Sequence, residues 1–279
     1  MKVIRTIDEM KRQVYGWRKE GFCVGLVSTM GYLHEGHMSL VKASRTENDK
    51  TVVSIFVNPK QFGEGEDLDV YPRDEKGDLT KCESGGVDAV FMPSVNEMYP
   101  KGFSIIVDVN GVSDGMAGDL RPGHFQGVCT VVSKLFNITV PHKAYFGQKD
   151  AQQLAVIKKM VADLNMNLEV IGCPTIREAD GLAMSSRNSY LSSDERKDAS
   201  EIIKALICGK CKFDTGISDV DVIKNDICKY LKQTTGLEPD YLEIVDPLTM
   251  TPKEALCIGD LCLISVKVGR TNLIDNIEF

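Results

Sequence analysis

The chain has 279 residues, 43% of them hydrophobic and 26% charged, a profile that lets a globular protein bury a core without disulfides or metals. Its 40 acidic against 33 basic residues leave a net charge of −7, which excludes nucleic acid and anionic membrane as natural partners and requires any anionic ligand to be held by a local cluster of donors. The nine scattered cysteines fit reduced thiols in a cytoplasmic protein, and neither a signal peptide nor an apolar run of membrane-spanning length is visible.

Thr6 and Glu9 form a capping-box pattern, and Ile7, Met10, Val14 and Trp17 recur at helical spacing, so an amphipathic helix is predicted to open the chain. Residues 24–30 and 51–57 are short apolar, β-leaning runs with a helical stretch over 38–48 between them. That is a βαβ unit, and it implies a parallel sheet. Further strands are expected at 89–92, 104–109, 143–146 and 168–171, alternating with helices centred near Val131 and Val156. The predicted class is α/β: a doubly wound, mostly parallel, Rossmann-like sheet covered on both faces. After about Pro174 the texture changes. A helix capped by Ser218 places Val220, Ile223, Ile227 and Leu231 on one face, and strand-like runs follow at 241–245, 255–258 and 261–268. These predict a smaller α+β domain over 176–279 behind a main domain over 1–175.

The strongest local signal is Met30-Gly31-Tyr32-Leu33-His34-Glu35-Gly36-His37, between the first apolar strand and a helix. Ligands of open α/β sheets bind at the carboxyl ends of the strands. The glycines permit a tight turn, and the helix start aims N–H groups at an anion. Two imidazoles three residues apart can donate to phosphate oxygens there. They also read as two histidines satisfied within a loop, or less readily as a metal pair, since no third ligand lies nearby. A second signal is Ala183-Met184-Ser185-Ser186-Arg187-Asn188, whose hydroxyls and guanidinium suit a polyphosphate but, taken alone, read more readily as a polar surface turn, because serine-rich turns are common. Cys208 and Cys211 form a Cys-x-x-Cys pair without the second pair that structural zinc requires, so they are read as ordinary thiols.

Taken together, the two signals resemble the paired His-Ile-Gly-His and Lys-Met-Ser-Lys-Ser signatures of the class I adenylate-forming superfamily. Further segments narrow the resemblance: Phe56-Val57-Asn58-Pro59-Lys60-Gln61-Phe62, Glu66-Asp67, Tyr71-Pro72-Arg73, Arg121-Pro122-Gly123-His124-Phe125-Gln126-Gly127-Val128, Tyr145-Phe146-Gly147-Gln148-Lys149-Asp150, Gln152-Gln153-Leu154 and Arg177-Glu178-Ala179-Asp180-Gly181-Leu182. In order and spacing they resemble the pantoate–β-alanine ligase family from about Met30 to Ser192, and faintly again at Leu273-Ile274-Asp275-Asn276. His142 departs from the acidic residue expected there.

The resemblance implies an ATP-dependent condensation of pantoate with β-alanine to pantothenate, a coenzyme A precursor, through a pantoyl-adenylate, with AMP and pyrophosphate released. It places Met30, Gly31, Tyr32, Leu33, His34, Glu35, Gly36 and His37 on ATP, with His34 and His37 on the phosphates and His37 as proton donor. Gln61 is implied to contact pantoate and β-alanine, Gln153 to contact pantoate, and Asn58 to orient the substrate. Gly147, Gln148, Lys149 and Asp150 are implied to bind ATP, with Asp150 accepting from ribose hydroxyls and Lys149 neutralising phosphate. Ile176 is implied to touch adenine through its backbone, and Met184, Ser185, Ser186 and Arg187 to close over the phosphates. Mg²⁺ is expected to arrive with ATP, with Asp88 as a candidate carboxylate partner. The family is typically homodimeric, and closure of the smaller domain is expected to exclude water. The rival readings are a dinucleotide-forming adenylyltransferase and a non-catalytic nucleotide-binding module. A tRNA-charging enzyme would need an anticodon-binding module and a basic surface.

Overall fold

The computed structural model describes residues 1–279. The chain divides into two compact units. The first comprises residues 1–110, 121–148 and 156–174; the second comprises 111–120, 149–155 and 175–279. The strands are β1 (Lys2–Ile4), β2 (Val24–Thr29), β3 (Lys50–Ile55), β4 (Ala89–Phe91), β5 (Lys143–Gly147), β6 (Glu169–Cys173), β7 (Pro239–Val245), β8 (Leu261–Val268) and β9 (Thr271–Glu278). The helices are α1 (Ile7–Lys19), α2 (Glu35–Glu47), α3 (Glu75–Ser84), α4 (Val95–Met98), α5 (Ala117–Leu120), α6 (His124–Thr139), α7 (Ala151–Asp163), α8 (Ser193–Asp214) and α9 (Val220–Thr235).

The first unit is built on a six-stranded sheet in the order β1-β4-β3-β2-β5-β6, every pairing parallel. Its strands read as continuous apolar runs because both faces are covered. Val27, Val53, Val90 and Tyr145 pack with Leu40, Val41 and Cys82 of α2 and α3. The alternating residues Leu26 and Val52 are equally buried, and α1 and α6 pack on the sheet as well. Full burial of each such side chain contributes about 1.5–3 kcal/mol. Consecutive strands run outward from β2 in one direction through β3 and β4, and in the other through β5 and β6. The order therefore reverses between β2 and β5, which is where an open parallel sheet leaves a crevice at its carboxyl edge.

Two features of this unit differ from the sequence reading. Residues 104–109 form no strand: Val107 donates its N–H to Thr130 Oγ1 and Val109 donates to Asp108 Oδ1, so side chains take the bonds a neighbouring strand would need. The edge strand β1 carries too little pattern at three residues to be read in advance. His142 has a plain structural role. Its Nδ1 accepts the Val24 N–H at 2.9 Å, the work a carboxylate would do. Burial, with the nearby charge of Arg18, lowers its pKa and keeps the ring neutral for that bond.

In the second unit, α8 and α9 pack on the antiparallel sheet β7-β8-β9 through Leu206, Ile223, Ile227, Ile244 and Ile264. Asp219 caps α9, accepting from the Val222 N–H. The expected cap, Ser218, instead gives its carbonyl to Leu256. Residues 255–258 are likewise not a strand. Their backbone is spent on that bond, on one bridge from Ala255 to Asp219, and on the Cys257 N–H to Asp260 Oδ2. β9 completes the sheet against β8.

Candidate active site

The turn after β2 is built by its own backbone and by α3. Gly31 has φ +87 and an added Cβ would stand 3.0 Å from both Asp78 Oδ2 and Ile55 Cγ2, so both its conformation and its surroundings call for glycine. Tyr32 follows in the left-handed region at φ 52. Buried Asp78 holds this path: Oδ2 accepts from Tyr32 N at 2.9 Å and Oδ1 from Leu33 N at 2.7 Å. Burial pushes its carboxyl pKa up against the opposing pull of those two N–H groups. Lys81 donates to the Leu33 carbonyl at 2.6 Å.

The helix begins earlier than the sequence pattern suggests, so both histidines belong to its first turn. His34 is the N-cap of α2, and its Nδ1 accepts from Gly36 N at 3.1 Å. His37 Nδ1 accepts from His34 N at 3.3 Å, and the two rings lie 4.1 Å apart. A ring nitrogen that accepts carries no proton, so each neutral imidazole bears its hydrogen on Nε2. The turn is thus a pair of Nε2–H donors mounted on a helix N-terminus, at the carboxyl end of the strand beside the switch point. Gly147 ends β5 on the other side of that switch, where an added Cβ would meet nothing within 4 Å.

Gln61 lies in the turn after β3 and is fixed from three sides. Its carbonyl accepts from His124 Nδ1 at 2.8 Å and from Arg121 at 3.3 Å. Because a carbonyl only accepts, the His124 proton is on Nδ1 and its Nε2 accepts from Arg121 at 3.2 Å. Arg121 is in turn gripped by both carboxylate oxygens of Glu66, at 2.8 and 2.6 Å. Burial raises the Glu66 pKa, but the bonds and charge of Arg121 outweigh that and hold it below its ordinary value. Gly127 lets α6 touch the turn: a Cβ there would stand 2.2 Å from the Lys60 carbonyl oxygen and 2.6 Å from Gln61 Cα. The side-chain amide of Gln61 bonds Asn58 and Met30.

In the second unit, the Arg177–Leu182 segment folds back on itself. Met184 N donates to the Ile176 carbonyl and Glu178 N to the Leu182 carbonyl. Arg177 clamps Asp275 of β9 with two bonds, at 2.6 and 2.9 Å. Glu178 is paired with Arg196 at 2.6 Å and accepts from buried Asn188 at 2.7 Å. The following turn, Ser186–Tyr190, starts at Ser185, whose Oγ accepts from Arg187 N. Asn276 donates to the Lys149 carbonyl. The weak Leu-Ile-Asp-Asn resemblance near the chain's end therefore props two of the expected ATP segments. Of the adjacent glutamines, Gln152 is buried and ties down residues 112–117 with four bonds. Half-buried Gln153 takes part in none of these.

Comparison with known proteins gives this arrangement a family. The profile described as pantoate-beta-alanine ligase matches residues 2–278. The chain belongs to that family. It is 52% identical over 280 residues to the pantothenate synthetase of Sulfurihydrogenibium sp. (strain YO3AOP1), covering 100% of both chains. It is 50% identical over 276 residues to that of Thermotoga petrophila, covering 99% of each. Among solved structures, the pantothenate synthetase of Thermus thermophilus superposes with a TM-score of 0.95 at 43% identity, covering 100% of this chain and 99% of that one. The pantoate-beta-alanine ligase of Francisella tularensis, solved with β,γ-ATP and β-alanine, has a TM-score of 0.82 at 33% identity, with 100% and 97% covered. Both the enzyme class and the fold class read from the sequence are thereby met.

Of the residues expected to act, Met30 through His37, Asn58, Gln61, Gly147 and Gln148 lie in the first unit. Lys149, Asp150, Gln153, Ile176 and Met184 through Arg187 lie in the second. Asn58 is 1% exposed, and both ends of its amide are bonded within the protein, one of them to Gln61. Asp88 does not fit the role of a metal partner. It binds Arg45, Lys50 and the Thr51 N–H at the amino end of β4, the edge away from the ligand crevice. Sequence reasoning missed Asp78, Lys81 and the clamp role of Arg121 and His124. For Asp78 the available signal was an acidic residue four positions before Cys82, on what proves to be the buried face of α3.

Proposed function

We propose that the enzyme condenses pantoate with β-alanine in two steps, through a pantoyl-adenylate. A pantoate carboxylate oxygen attacks the α-phosphorus of ATP, the bond to the β-phosphate breaks, and pyrophosphate leaves. The β-alanine amine then attacks the acyl carbon, AMP departs, and the amine nitrogen loses a proton. The observation that carries this reading is the His34–His37 pair, two Nε2–H donors on one helix N-terminus beside the sheet's switch point. Such donors favour charge gathering on phosphate oxygens as pyrophosphate departs, and His37 is the proton donor to it. The chain has no Gly-x-x-x-x-Gly-Lys-[Ser/Thr] loop that would hold a phosphate tail for attack at its γ end.

In this reading Met30–His37, Gly147–Asp150, Ile176 and Met184–Arg187 bind ATP, Gln61 contacts pantoate and β-alanine, and Gln153 contacts pantoate. Residues 176–279 act as a lid that excludes water from the adenylate. Mg²⁺ enters on the nucleotide and offsets phosphate charge. No group of three or more His, Cys, Asp or Glu side chains forms a cage for a metal, which suits an ion held mainly by phosphates and water. The assembly in this reading is a cytoplasmic homodimer. No helix is long and apolar enough to cross a membrane.

The test is the partial reaction. With ATP, Mg²⁺ and pantoate but no β-alanine, labelled pyrophosphate exchanges into ATP, and full turnover releases AMP. Stoichiometric ADP, or exchange that demands β-alanine, overturns the adenylate route.

A further inference from the structure

We propose that Tyr99 is a positioning residue for substrate recognition: through Asn58 it locks the Gln61 amide so that its NH₂ end, and not its carbonyl, is offered to the oxygens of a hydroxy-acid substrate. The inference rests on the reading of Gln61 as a pantoate contact.

Asn58 carries the argument. Its Oδ1 accepts from the Lys60 N–H at 3.3 Å and from the Tyr99 hydroxyl at 2.8 Å. Its Nδ2 donates to the Gly127 carbonyl at 3.1 Å and to Gln61 Oε1 at 3.1 Å. A backbone N–H only donates and a backbone carbonyl only accepts, so the orientation of the Asn58 amide is not a matter of choice. With the Asn58 NH₂ fixed as a donor, the atom of Gln61 facing it must be the oxygen. The NH₂ of Gln61 is then its other end, and it meets Met30 Sδ at 3.2 Å, beside the turn that carries the histidines. A carboxylate or hydroxyl oxygen accepts readily from such a group, whereas a ligand offering N–H there meets a donor.

The phenol is the outer anchor of this relay. Its ring is braced edge-on by Phe103 at 5.0 Å, and the Lys60 ammonium lies 5.2 Å from its centroid. Burial raises the pKa of the hydroxyl, so it remains a donor across the working range of an enzyme. Removing that one O–H deprives a buried amide oxygen of one of its two donors and loosens the hold on the Asn58–Gln61 pair, whose orientation the Lys60 N–H and the Gly127 carbonyl still set.

The experiment compares Tyr99→Phe, Gln61→Ala and the double variant by steady-state kinetics, with folding checked by circular dichroism and thermal melting. Tyr99→Phe is expected to raise KM for pantoate roughly 2- to 13-fold, the range for one lost hydrogen bond, with KM for ATP unchanged. On a Gln61→Ala background the same change is expected to add nothing. If Gln61→Ala leaves the pantoate KM unchanged, the reading of Gln61 falls, and this proposal with it. If Gln61→Ala raises the pantoate KM and Tyr99→Phe does not, only the role of Tyr99 falls. Equal shifts in both substrates, or full additivity in the double variant, also overturn it by marking Tyr99 as a general structural support.

Discussion

Asp78 Oδ1 lies 2.7 Å from the backbone nitrogen of Leu33, 45 positions earlier in the chain, while its Oδ2 takes the neighbouring Tyr32 N–H. A single carboxylate thus fixes the path of the turn on which both histidines stand. Asp78→Asn keeps the size but turns one acceptor into a donor facing a donor. Its expected cost is about 1–3 kcal/mol in urea unfolding, with a matching loss of pantoate-dependent exchange. Wild-type stability and turnover in this variant would show that Gly31 and Lys81 suffice to hold the turn.

His37→Ala removes both a cap acceptor and an Nε2–H donor. Loss of the cap is expected to cost about 1 kcal/mol of stability. Loss of the donor should slow pyrophosphate exchange by roughly 100- to 1,000-fold. Supplied pantoyl-adenylate should still react with β-alanine at close to the wild-type rate. Selective loss of this second half-reaction would reassign the residue.

Gln152 and Gln153 are neighbours with different tasks, and alanine substitution should separate them. Gln152→Ala forfeits the bonds to residues 112–117 and should lower the melting temperature. Gln153→Ala should leave melting unchanged and weaken pantoate binding far more than ATP binding, which isothermal titration can measure. Equal weakening of both ligands would remove Gln153 from the pantoate site.

The bond from Arg196, aided by Asn188, lowers the Glu178 pKa from its ordinary 4.5. Because the folded value lies below the unfolded one, the pair's contribution is fully present above about pH 4.5 and is lost as pH falls through the folded pKa. At this partly exposed pair the gain is modest, under roughly 1 kcal/mol. Thermal melts from pH 7 to pH 3 should show wild type losing its advantage over Glu178→Gln at the acid end. Parallel curves would mean that the pair contributes nothing to stability.

The parts legible in the sequence were those written in local pattern. The apolar runs of β2, β3 and β5 and the face of α9 emerged because a buried strand and an amphipathic helix each repeat within a few residues. The two histidines stood out because half of the chain's four fall in one turn. What stayed hidden depends on partners distant in sequence. Residues 104–109 have strand composition but no neighbouring strand, and Asp219 displaced Ser218 as the α9 cap because the helix starts at Val220, one position too late for Ser218 to stand next to it. Nothing adjacent to Asp78 says that it will meet Leu33, and nothing adjacent to His124 says that it will grip Gln61.

Because His34 and His37 spend their Nδ1 atoms on the backbone of the turn that carries them, winding that turn and setting the two tautomers are one event. Fraying of the helix start would release both rings to rotate and exchange their protons between nitrogens. The solvent exchange of just two amide hydrogens, those of His34 and Gly36, is therefore a direct gauge of how often the resting enzyme holds its donors in order.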